Sequence, residues 1–133
     1  MSSTLLVPLR RAAHARAGDK GNRSNISVIA YHERLYPLIA EQLAERVVAA
    51  HFAFRRPSRV TRYALPNLGA LNFVLDDALD GGVNDALNLD AHGKTLAFHL
   101  LALPLAVPPE LISLLVGPDT DVFDRPDIRK ENR

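Results

Sequence analysis

Two glycines bracket an Asp-Lys pair at Gly18-Asp19-Lys20-Gly21-Asn22, inside the polar stretch ARAGDKGNRSN that runs over residues 15–25. Glycines so placed let successive backbone N–H groups converge, and Lys20 with nearby Arg16 and Arg23 adds charge suited to a carboxylate or phosphate. The stretch therefore reads as an anion-binding loop built on Arg16, Gly18, Asp19, Lys20, Gly21 and Asn22. It is not a nucleotide P-loop. The G-x-x-x-x-G-K-[ST] spacing is missing, and a strand-like run follows where a helix N-terminus would hold the phosphates. The competing structural reading is a tight connection in which Asp19 and Asn22 make side-chain turns and the glycines take positive φ. Lysine occurs only at positions 20, 94 and 130, against arginine elsewhere, which singles out Lys20 and Lys94. A lysine can act as a point-charge anion binder or, when desolvated, as a base or Schiff-base amine.

A second constellation lies in LPNLGALNF, residues 65–73. On a helix, Asn72 falls four residues after Leu68 and three before Leu75, so its amide reaches the apolar face and needs hydrogen-bond partners there. Either Asn72 pins the neighbouring backbone, or it stands with Asn67 beside the glycine loop and orients an acyl carbonyl or carboxylate. His14, His92 and His99 are candidate acid-base groups because imidazole titrates near neutral pH, yet none has a partner legible in the sequence. No G-x-S-x-G elbow supplies a serine nucleophile, and no pair of glutamates is spaced for glycoside hydrolysis. Cysteine is absent, which excludes disulfides and thiolate chemistry, and the five histidines include no H-E-x-x-H spacing. Neither a metal nor a cofactor is expected.

These residues must be positioned by one domain, since 133 residues suffice for a single core. Hydrophobic residues at 47% and charged residues at 23% match ordinary globular usage. A formal net charge of +1 gives no broad field for nucleic acid, and Tyr31 and Tyr63 alone do not form an RNA-binding aromatic pattern. The early apolar run Leu5-Leu6-Val7 is too short for a signal peptide or a membrane span, so a cytoplasmic location away from membranes is expected.

Alternation predicts a first strand over Thr4–Ala13, with Pro8 marking an edge, and a second over Asn25–His32. Pro37 opens a helix carrying Ile39, Leu43 and Val47 on one face through Phe52, and Arg59–Leu65 reads as a third strand. Asn67 then caps a second helix with Leu68, Leu71, Leu75 and Leu79 on one face, ended by the glycines of DGGVN. VNDALNLD and KTLAFHLLALPL read as a hairpin turning at Ala91-His92-Gly93, and a short helix starts at Pro108-Pro109-Glu110. The order predicts an α+β fold, a mostly antiparallel sheet with helices packed on one face. The domain is expected to end near residue 117, with 118–133 a flexible polar tail. Ser27, Ile29 and Tyr31 would point away from the helices, and the same alternation would add His99, Leu101 and Leu103 to that open face. So apolar a face implies a homo-oligomer or docking onto another chain.

The segments ARAGDKGNRSNISVIA, RYALPNLGALNFVL, LDGGV and LDAHGKTLAFHLL, in that order, resemble the small C-terminal domain of the acyclic terpene utilisation (AtuA) proteins, which also occurs as a separate short polypeptide. The resemblance runs from about residue 5 to residue 107 and implies a ferredoxin-like α+β sandwich. The family's GDKGN loop falls on Gly18–Asn22, its PNLGALNF segment on Pro66–Phe73 and its glycine pair on Gly81-Gly82. Where the family tends to have a serine and an arginine before the last LD, this chain has Ala86 and Asn88, which removes a hydroxyl and a positive charge. The resemblance implies an accessory subunit working beside an AtuA-type large protein in acyclic terpene or branched acyl-CoA catabolism, with an acyl-CoA or carboxylate as ligand. It assigns no catalytic residue. A free-standing enzyme on a small carboxylate or CoA ester, using Lys20 and Asp19 in acid-base roles, and a ligand-free dimerisation module remain the alternatives.

Overall fold

The structure is a computed structural model that describes residues 4–20, 23–76 and 96–123. The strands are β1 (Leu5–Pro8), β2 (Ala13–Lys20), β3 (Arg23–Ala30), β4 (Arg59–Leu65), β5 (Ala70–Asp76) and β6 (Pro104–Val107). The helices are α1 (Tyr36–Gln42), α2 (Glu45–His51) and α3, residues 96–101. β2, β3, β5 and β4 form an antiparallel sheet in that order, and β1 pairs with β6 in a two-stranded antiparallel ribbon. The fold is α+β with the helices on one face of the larger sheet, as expected.

Side-chain alternation makes that sheet two-sided. Ile26 and Val28 of β3 and Leu71, Phe73 and Leu75 of β5 are buried on the helical side. There they pack with Leu35, Ile39, Leu43, Val48, Phe52, Leu96 and Leu100, and with Val7, Leu105 and Val107 of the ribbon. Each fully buried large side chain stabilises the fold by about 1.5–3 kcal/mol.

Several sequence expectations change here. The polar stretch 15–25 is not a long loop: β2 runs through Lys20, β3 begins at Arg23, and the two pair in register from Ala13↔Ala30 to Lys20↔Arg23. The first strand is cut at Pro8, after which Leu9–Arg11 form a short 3-10 turn and the chain restarts as β2. The single helix expected from Pro37 to Phe52 breaks at Leu43-Ala44, where Ala44 is extended at ψ 160°. Freed carbonyls at the break are met by the Arg62 guanidinium, whose Nη1 donates to Ala40 O (2.6 Å) and Leu43 O (3.1 Å). Arg62 N donates in turn to Glu45 Oε2 (2.7 Å), so the edge strand β4 clasps both helices.

The second expected helix is strand β5. Pro66–Leu68 make a 3-10 turn, Gly69 takes a left-handed φ of 59°, and the chain returns as a hairpin with β4. Leu71, Phe73 and Leu75 fit a period of two, and pairing on both sides, with β3 and β4, decides for the strand. The converse holds at 96–103, expected as a strand: Leu96, Ala97, Leu100 and Leu103 are buried, a helical spacing, while Phe98 is 72% exposed. β6 follows, its edge satisfied by Gln42, which donates from Nε2 to Ala106 O (2.7 Å) and accepts at Oε1 from Ala106 N (2.9 Å).

The short helix expected near Pro108 is a 3-10 segment, Pro109–Leu114. Of the expected tail, residues 118–123 are tied to the domain. Arg10 pairs with the Asp121 carboxylate (2.8 Å), and the buried Arg11 donates to Val116 O (2.8 Å) and Asp121 O (3.1 Å). Residues 124–133 lie outside the described residues, as do residues 83–95 of the expected hairpin, with His92 and Lys94, and the pair Gly81-Gly82.

Candidate functional site

The face of the four-stranded sheet turned away from the helices is crossed by four rows of residue positions, set by the strand register. The first row is His14, Ile29, Ala70 and Leu65; the second is Arg16, Ser27, Asn72 and Tyr63. The third is Gly18, Asn25, Val74 and Thr61, and the fourth places Lys20, Arg23, Asp76 and Arg59 across the same line. Rows lie about 6.7 Å apart and strands about 4.8 Å, so the face spans about 20 Å from its apolar to its cationic end.

Register thus brings Arg16, Gly18 and Asn72 onto one face, together with the position of Lys20. Asn72 Nδ2 donates to Ser27 Oγ (2.9 Å), a cross-strand pair in the middle of the sheet. The expected burial of Asn72 against a helical core gives way to a half-buried place on this surface, with Arg16 about two strand spacings away. Gly18 stands in regular extended pairing with Asn25, and a Cβ there would meet Asn25 Oδ1 at 3.0 Å. Its role is close side-chain passage across the hairpin. The positive φ of a backbone nest is found among the described glycines at Gly69 and Gly117 instead. Asp19 pairs with Ser24, on the alternate set of positions, and Gly21 and Asn22 lie outside the described residues. Asn67 is in the turn at the other end of the sheet, in a shallow cleft of about 300 Å³ whose lining includes Glu33 and Tyr36. The structure does not bring Asn67 to the β2–β3 hairpin.

Charge on this face is lopsided. Arg16, Arg23 and Arg59 are exposed, and Asp76 is the single acidic residue in the four rows. Arg23 Nε donates to Asp76 Oδ1 at 2.6 Å, and that bond, then the carboxylate's charge, raises the guanidinium above its ordinary pKa. Arg16 and Arg59 form no ion pair with any described residue. Next to the apolar row, His14 stacks on Tyr31 with ring centroids 5.4 Å apart, and Tyr31, Tyr63 and Leu65 are 48%, 54% and 41% exposed. The expected outward set is therefore present in Ser27 and Ile29, while His99, Leu101 and Leu103 belong to α3 and the turn after it.

His51 and His99 form a cluster that strand reasoning missed. Their rings stack at 4.0 Å and 19°, and each Nε2 lies 2.7 Å from the other's backbone carbonyl, so each donates an N–H across the α2–α3 contact. With Nε2 so engaged, the pair acts as a structural clasp. Burial first, and the charge of His99 second, push His51 below the usual histidine pKa, against the opposing effect of its backbone bond. A histidine at the end of one apolar helical stripe and another in LAFHLL gave a helical-phase signal that the strand reading discarded. Among the described residues no three His, Cys, Asp or Glu side chains gather as a metal cluster. No described helix is long and apolar enough to cross a membrane.

In comparison with known proteins, the family model of the AtuA ferredoxin-like domain matches residues 7–106. No curated protein and no solved structure matches the chain. The matched span runs from the β1–β6 ribbon across both hairpins of the sheet.

Proposed function

The chain belongs to the AtuA ferredoxin-like domain family, and from that premise we propose that it is a small accessory subunit of an AtuA-type system. In this reading it assembles with an AtuA-type large protein that handles acyclic terpene or branched acyl-CoA intermediates. Its β2–β3 hairpin contributes an anion-binding surface through Arg16 and the Gly18–Asn22 segment, with Asn72 alongside. Asn67 is left out because it sits at the far turn. The observation that carries the proposal is the sheet face turned away from the helices, on which Arg16 and Arg59 stand exposed, with no ion pair among the described residues, beside a half-buried amide and hydroxyl. Cations held on paired strands are preorganised for carboxylate or phosphate without loop ordering.

The test is co-expression with the AtuA-type large protein encoded in the same genome, followed by size-exclusion chromatography. The expected result is co-elution as a complex of fixed stoichiometry. Independent elution of both proteins at micromolar concentration, each shown to be folded, refutes the accessory role.

A further inference from the structure

We propose that the anion met by the open sheet face is a set of carboxylates on the partner protein's surface, and that this face is where the partner docks. The inference rests on the accessory-subunit reading and specifies its geometry. All three described α-helices pack on the opposite side, which leaves Tyr63 and Leu65 exposed on this face with Ile29 half-buried in the same apolar row. By residue type the four rows hold Arg16, Lys20, Arg23 and Arg59 against Asp76, a net charge of +3, while the whole chain carries +1, so the basic character is concentrated here.

A second copy of the chain is the wrong occupant. Laid face to face with like ends together, arginines oppose arginines. With unlike ends together, Arg59 and Arg23 of each copy cover the apolar row of the other, and Asp76 is already engaged by Arg23. Either arrangement desolvates Arg16 and Arg59, which no described carboxylate pairs, and that is strongly unfavourable. The matching surface carries carboxylates over the Arg23 and Arg59 end and apolar side chains over the Ile29 and Leu65 end. Charged groups so arranged fix register and raise the association rate.

The experiment measures affinity between this chain and the large protein by calorimetry at low and high salt, for wild type and for Arg16→Glu, Tyr63→Asp and Arg59→Ala. Phe98→Asp, on the helical side and 72% exposed, is the control. The face variants should bind at least tenfold more weakly with unchanged circular dichroism, the control within twofold of wild type, and salt should weaken wild type more than Arg16→Glu. Wild-type affinity in all face variants overturns the docking surface and leaves the accessory role standing. No binding by wild type removes both. Saturable binding of free coenzyme A to the isolated chain, lost in Arg16→Glu, also overturns the inference, since the anion is then a ligand and not the partner.

Discussion

The Arg62 clasp offers a direct test of why the long apolar stripe from Pro37 to Phe52 is two helices. In a continuous helix Ala40 O would accept from the amide of residue 44 and Leu43 O from Val47 N, whereas here Val47 N turns to Ala44 O. Arg62 Nη1 takes both freed carbonyls at 2.6 and 3.1 Å. Arg62→Met keeps most of the aliphatic stem and removes both bonds. Hydrogen bonds to a charged donor contribute about 1.5–3 kcal/mol each when well shielded. Shielding here is incomplete, because Arg62 is half-buried and lines an open cleft with Ala40, Glu41 and Glu45 through which water can reach the carbonyls. A total loss of about 2 kcal/mol follows, below the roughly 3 kcal/mol that two well-shielded bonds would give at the least. At about 3–5 °C per kcal/mol for a domain of this size, thermal unfolding should shift down by roughly 6–10 °C. Urea denaturation supplies the free energy, and hydrogen exchange supplies the location: the amides of Leu43, Val47 and Val48 should lose protection first. A change below about 0.5 kcal/mol, the range of an ordinary surface substitution, would refute the claim that Arg62 stabilises the break.

Acid should weaken the His51–His99 clasp. His51 titrates below its unfolded value, so the unfolded chain binds the proton first: stability is intact above about pH 6.5, falls as pH drops through that value, and levels off once the folded pKa is passed. Denaturant midpoints between pH 7.5 and 4.5 should therefore fall more steeply for wild type than for His51→Gln, and parallel curves would contradict the assignment. Gly69→Ala should lose about 1–2 kcal/mol from left-handed strain alone, since φ is 59° and a Cβ meets nothing within 4 Å; an unchanged unfolding midpoint would show that the turn relaxes freely.

Some of this molecule was legible in the linear chain because the signal was local. Arg59–Leu65 is bounded by the breaker at Pro57 and by Pro66, and it forms the strand that alternation predicts, to the residue. Asn25–His32 overlaps β3, and Ser27 and Ile29 face away from the helices because a period of two leaves them no other side. The types at 16, 18, 20 and 72 flagged a polar surface, and the register places all four positions on one face.

Tertiary structure decided the rest. Leu68, Leu71 and Leu75 satisfy a helical spacing, Leu71, Phe73 and Leu75 a strand spacing, and seven residues are too few for the sequence to choose. Two neighbouring strands supply the backbone partners that settle it. At 96–103 the same ambiguity resolves to a helix, because packing rewards burial of Leu96, Ala97, Leu100 and Leu103 together. Distance along the chain also hid what pairing reveals: Arg62 on a strand closes a helix break, and Gln42 on a helix completes the edge of β6. Residue types thus determined what chemistry the chain can carry, while the antiparallel register, which depends on contacts between distant segments, determined which of those residues stand together.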